Sequence, residues 1–219
     1  MHHARPGTYR GAQPNPMNGP YLPPRREGNH HDTVTMRCLD GDAGTAYARA
    51  RERFFAVAGW HQLNPNFRTR FQLCEAGGTV VRRHPRRGDL IRVDLAGPGS
   101  PSGGGYDWVA VTQIEEWEGE WPFVALTLVP APAPGAPTDT VAHFYAAGAT
   151  NTLVLRRAGD CLLAEAHGRN ERPNVHRVPL GDRLRNGAVA VAGKVGIGQV
   201  QWQDWTDGLL SVIEPEPER

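Results

Sequence analysis

Apolar positions along this chain change period twice. From Asp42, Tyr47, Ala50, Phe54 and Val57 recur at i, i+3, i+7 and i+10, a spacing that predicts one apolar stripe on a helix. Asp42 can cap that helix by accepting from its free backbone amides. Gly59 is placed to end it in the left-handed conformation. The period then drops to two. Phe67, Thr69, Phe71 and Leu73 alternate with Arg68, Arg70, Gln72 and Cys74, which predicts a half-buried strand. Further strands are predicted over 91–95, 106–117 and 123–129, then near 140–146 and 152–157, and from Cys161 to His167, where Gly159-Asp160 supplies a hairpin turn. Short turns between consecutive strands imply mostly antiparallel pairing.

Helical spacing returns at the end. Leu180, Leu184, Ala188, Val191 and Val195 form one stripe, and Trp202, Trp205, Leu209 and Val212 another. Gly187, Gly193, Gly196 and Gly198 weaken the stretch between them. The pattern as a whole predicts an α+β fold: a mostly antiparallel sheet with one N-terminal helix and C-terminal helices packed on it.

Composition sets the boundaries. Residues 1–41 contain Pro6, Pro14, Pro16, Pro20, Pro23 and Pro24 among several glycines and few apolar residues. Such a segment buries too little to offset its ordering entropy, and a disordered tail is expected. The expected domain runs 42–213, and 214–219 is a solvated acidic tail. The 219 residues carry a net charge of +1, which gives no bias toward nucleic acid or membrane. Arginine is used almost to the exclusion of lysine, as a genome rich in G and C would favour. No apolar stretch is long enough to span a bilayer. The N-terminus has no apolar signal region. Cys38, Cys74 and Cys161 contain no C-x-x-C pair, so neither a disulfide nor a structural metal is expected, and the compartment expected is the cytoplasm.

Five features carry chemistry in principle. Residues 96–105 form a Gly/Pro/Ser loop between two strands, without the helix and Lys-Ser/Thr that a phosphate loop needs. With Gly99, Gly105, Tyr106 and Trp108 it is the first candidate binding surface, because an aromatic pair at a loop base suits a binding hot spot. Arg82, Arg83, Arg86 and Arg87 cluster in one turn and suit an anionic partner. The low net charge and the missing aromatic platform make nucleic acid an unfavoured partner. His143, Glu165 and His167 could converge only if their strands were neighbours. Trp108, Trp117, Trp121, Trp202 and Trp205 suit either a core or the wall of an apolar cavity. In the tail, Pro20 to Arg25 fits a P-x-x-P-x-R ligand, and His2-His3 and His30-His31 could meet a soft divalent ion.

The runs Arg87 to Ser100 and Gly105 to Val109, with Ala142-His143-Phe144-Tyr145, Arg169-Asn170, Pro173-Asn174, Gln201-Trp202 and Asp207-Gly208-Leu209, resemble a pattern in uncharacterised bacterial proteins. That resemblance covers residues 60–211 and implies no activity, cofactor or partner. The order of sheet and terminal helix also resembles helix-grip, START-like domains, although those begin with a strand and none is legible here. With no reaction motif, the function expected is a non-catalytic binding or assembly module with a protein partner. The alternative is a carrier or enzyme for a small apolar ligand held between sheet and C-terminal helix.

Overall fold

The computed structural model describes residues 22–65, 69–95, 99–174, 182 and 197–211. The order of elements is β1 (Asn29–Cys38), α1 (Ala43–Phe55), a 3-10 helix (Val57–Gln62), β2 (Arg70–Cys74), β3 (Leu90–Asp94), β4 (Asp107–Trp117), β5 (Phe123–Pro130), β6 (Thr150–Ala158), β7 (Cys161–Glu171) and α2 (Ile197–Leu210). The strands form one seven-stranded sheet in the order β1-β7-β6-β5-β4-β3-β2. Every pairing is antiparallel. The fold is α+β, as the changes of period predict.

Alternation assigns the two faces. Leu153, Leu155, Leu126, Val124, Ala164 and Ala166 turn toward the helices and share one core with Phe54, Trp60, Trp205 and Leu209. The rings of Trp60 and Trp205 meet edge-on at 5.6 Å, and Phe54 meets Trp205 at 5.9 Å, geometries that add to the burial of large apolar area. Asp42 caps α1 as expected, accepting from the Gly44 and Thr45 amides at 2.9 and 3.1 Å. The end of α1 differs from expectation. The chain leaves the helix at Ala56 and continues as a 3-10 helix, so Gly59 lies inside a second element rather than at a cap.

Two larger corrections concern the N-terminal region. Residues 29–41 are not part of a disordered tail, because Asn29–Cys38 is a full edge strand paired with β7 from Glu171 to Cys161. Residues 22–28 also dock: Leu22, like Phe123, packs on Ala125 and Val154 of the outer face, Asn170 takes the Arg26 amide at 2.6 Å, and Arg25 pairs with Asp32. Thr33 and Thr35 supply β-propensity in this strand, but Asn, His and Asp at its start mask the alternation. The second correction is covalent. Cys38 and Cys161 sit directly opposite each other in the β1–β7 register and form a disulfide, which leaves Cys74 buried as the free thiol. Sparse spacing argued against a bridge, yet residues 123 apart in sequence become cross-strand neighbours.

The expected strand near 140–146 is also absent. Here Ala142 exchanges backbone bonds with Ala131 and Trp108, and only Tyr145 bridges Pro173. This segment covers a small second core of Cys74, Leu90, Trp108 and Ala131 on the outer face. The Leu180–Val195 stripe, residues 1–21 and the acidic end lie outside the described residues. Among the described residues no helix is long and apolar enough to cross a membrane.

Candidate functional site

The helix-side face of the sheet turns polar at one end, where β1 begins and β7 ends. His31, Gly168 and Asn151 are directly opposite one another across three adjacent strands. They share the parity of Thr35, Ala166 and Leu153, so all three face the helices. A Cβ on Gly168 would lie 2.0 Å from the His31 ring, so the imidazole lies over the glycine that Asn151 opposes. Register here shifts by one extra residue in β7, between the pairs Asn29↔Glu171 and His31↔Gly168. Asn170 takes the left-handed conformation, φ 58°, which Asn tolerates. This bulge re-aims Glu171 toward His31.

The result is a polar chain in an apolar surround. The Tyr145 phenol lies against the Glu171 carboxylate, and burial together with that carboxylate pushes it well above its usual range. Glu171 Oε1 is 3.2 Å from His31 Nδ1. His31 Nε2 and Asn151 Oδ1 are both buried without a hydrogen-bond partner. A carboxylate beside one ring nitrogen directs the proton to that nitrogen, and the other is then an acceptor. Two acceptors are thus presented side by side on the helix-side face. Deeper in the same core the indole Nε1 of Trp205 is also buried without a partner. An unpaired buried polar atom costs about 1–3 kcal/mol; Arg157 Nε, on the same face of β6, is another.

The expected sites fall elsewhere. Trp108 is buried, and its indole donates to the Gly103 carbonyl at 3.1 Å. The described part of the Gly-rich loop is closed by its own backbone bonds, with Pro101, Gly104 and Gly105 exposed. Ser100 accepts the Gly103 and Gly105 amides at 3.0 and 2.9 Å, and Gly99 crosses so close that a Cβ would lie 1.7 Å from the Gly105 carbonyl oxygen. Tyr106 is half-buried beneath the Arg92 guanidinium, 4.5 Å from its ring centre. In the arginine turn, Arg83 is committed to a bidentate pair with Asp89 at 2.6 and 2.9 Å. Arg82, Arg86 and Arg87 are exposed.

His143, Glu165 and His167 separate into two clusters. Glu165 and His167 lie on the outer face of β7 in an ion network with Asp32, Arg156 and Arg169. His167 Nδ1 is 2.6 Å from Asp32 Oδ1 and its Nε2 is 2.8 Å from Glu165 Oε2, so neither ring nitrogen is left to act on a substrate. His143 instead stacks on Phe144 at 4.3 Å and accepts the Tyr145 amide at 2.9 Å. The network is structural and it titrates. Burial raises the Glu165 and Asp32 carboxyls, but hydrogen bonds from His167, and from Arg156 and Arg169 respectively, outweigh it and hold both below the usual carboxylate range. A depressed carboxyl contributes stability that is present above its unfolded value, near about pH 4, and lost as pH falls through its lower folded value. The melting temperature is therefore expected to hold from neutral pH down to about 4 and then fall steeply, which a calorimetric pH series would record.

The sequence offers His31 only with His30 as a candidate for a divalent ion, and gives no sign that it meets Asn151, Gly168 and Glu171. A glycine inside an otherwise regular strand was the available signal for close approach of another group. No protein-family model and no curated protein matches this chain. Among solved structures, ginseng major latex-like protein 151 from Panax ginseng is similar over 86% of this chain and 100% of its own, at 9% identity and TM-score 0.41. Ara h 8.0201 is similar over 84% and 99%, at 11% identity and TM-score 0.37. A START superfamily protein from Mycobacterium smegmatis covers 79% and 99%, at 12% identity and TM-score 0.32. Likeness at this level leaves the functional argument to the residues themselves.

Proposed function

We propose that the protein is a carrier for a small, largely apolar ligand that bears a hydroxyl or similar donor, held between the helix-side face of the sheet and α2. The observation that carries this reading is the His31–Gly168–Asn151 row. It places two unpartnered acceptors beside each other at the margin of an aromatic and aliphatic core. A few polar groups in an apolar setting are what orients such ligands. A donor on the ligand pairs with the His31 and Asn151 acceptors and removes their cost. The Trp205 indole offers the complementary donor to a second polar atom.

The Cys38–Cys161 bridge favours an oxidising compartment over the cytoplasm expected from the sequence. This reading differs from a protein-partner module; of the surface expected for that role, Trp108 is buried, Tyr106 half-buried and Gly105 exposed.

Displacement of 8-anilinonaphthalene-1-sulfonate by 1-decanol, with decane as the comparison, tests the proposal. The alcohol is expected to displace the dye better than the alkane. His31→Ala or Asn151→Ala is expected to weaken the alcohol by about tenfold, the worth of one hydrogen bond, and leave the alkane unchanged. Equal behaviour of alcohol and alkane, or no dye bound at all, rejects it.

A further inference from the structure

We infer that the tip of the β4–β5 hairpin, with the apolar row it continues on the outer face, is a docking surface for a cationic peptide segment of another protein. Residues 115–121 read Glu-Glu-Trp-Glu-Gly-Glu-Trp, four acids and two indoles with no base among them. Trp117 is 59% exposed and Trp121 44%. Both are costly to leave in water, and tryptophan is enriched among residues that anchor interfaces.

The acids divide by their partners. Glu115 accepts from Gln113, and Glu116 accepts from Arg51 at 2.5 Å. Glu118 and Glu120 are exposed and have no ion-pair partner among the described residues. The unbalanced charge of the tip is therefore negative and lies between the two indoles in the sequence. A Cβ on residue 119 would lie 2.4 Å from Trp117 Nε1, so the Trp117 ring rests on Gly119. An indole already held against its own turn loses little freedom when a partner arrives.

Register extends the surface. Trp117 is opposite Phe123, Phe123 opposite Arg156, Arg156 opposite Leu163 and Leu163 opposite Met36. All five side chains fall on the outer face. Arg156 is neutralised by Glu165, Phe123 and Leu163 are largely covered, and Met36 is 61% exposed. The row crosses four strand spacings, about 19 Å at roughly 4.8 Å each. That exceeds a small molecule and suits a short peptide. Arginine satisfies both parts of the tip, because a guanidinium stacks on indole faces and pairs with carboxylates. Aliphatic residues between the cations then cover Met36. An anionic lipid surface has the wrong sign for this tip.

The experiment is a nitrogen-15 titration of the full chain with the peptide acetyl-Arg-Leu-Arg-Leu-Arg-amide, following the indole N–H signals of the six tryptophans. Trp117 and Trp121 are expected to shift saturably, while the fully buried Trp60 and Trp205 stay in place. Replacing both exposed residues by Trp117→Ala and Trp121→Ala is expected to weaken binding by about tenfold or more, read from tryptophan-independent calorimetry. Glu118→Gln with Glu120→Gln is expected to weaken it several-fold and flatten its salt dependence. Three results overturn the proposal: no saturable shift at about millimolar peptide, the weak end of such contacts; an equal response to acetyl-Glu-Leu-Glu-Leu-Glu-amide; or shifts of the same two indoles on diluting the protein alone, which mark a face for a second copy.

Discussion

Reduction of the Cys38–Cys161 bridge is expected to cost about 4 kcal/mol, since a closed loop of this size restrains the unfolded chain by roughly that much. The bridge joins residues 123 apart, so most of the domain lies inside the loop it closes. It also holds the edge strand β1, whose only strand neighbour among the described residues is β7. For a chain of this size the loss corresponds to about 8–16 °C in melting temperature. Cys38→Ser and a reductant should act alike, and the reductant should add nothing to the variant. Thiol titration of the unfolded, unreduced protein should find one free thiol, that of Cys74, and three after reduction. Three thiols before reduction, or a melting temperature indifferent to reductant, would show that the bridge does not form in solution.

Glu165→Gln is the other substitution expected to do large damage. Glu165 is buried, and its two oxygens meet Arg156 and His167 on neighbouring positions. Removing its charge leaves the half-buried Arg156 guanidinium without its counter-ion, and breaking a buried pair from one side costs up to about 3–5 kcal/mol. The loss should shrink as pH falls through the depressed folded value of the wild-type carboxyl, which then becomes protonated itself. Arg25→Ala is the contrasting control. Arg25 also pairs with a member of the network, Asp32 at 2.6 Å, but its side chain is 60% exposed. An exposed pair is worth about 0–1 kcal/mol. Comparable losses for the two variants would mean that the network is hydrated rather than buried.

Much of the fold was legible in the residues. Alternation over 91–95, the apolar β-prone runs over 106–117 and 152–157, and the helical stripe that contains Trp205 and Leu209 set element type because burial imposes its own period or length on the sequence. The Asp42 cap was equally local. What these signals share is that a residue and its partners lie within a few positions of one another. They specify the α+β class and the antiparallel sheet.

Tertiary structure alone decided the rest. β1 reads as tail because polar residues occupy both of its faces: Asp32 meets His167 and Arg169, and Thr35 meets Asp207 on α2 at 2.6 Å. Those partners lie more than a hundred residues away, so no local pattern reports them. The same distance hid the disulfide. The candidate site depends on pairings of this kind, since His31 and Asn151 become neighbours only because both oppose Gly168, and Glu171 joins them only through the bulge at Asn170. Hydrophobic period is a property of a segment and can be read from it. Register between distant strands is set by the sum of many cross-strand contacts, and it is this register that places the unpartnered groups of the site side by side.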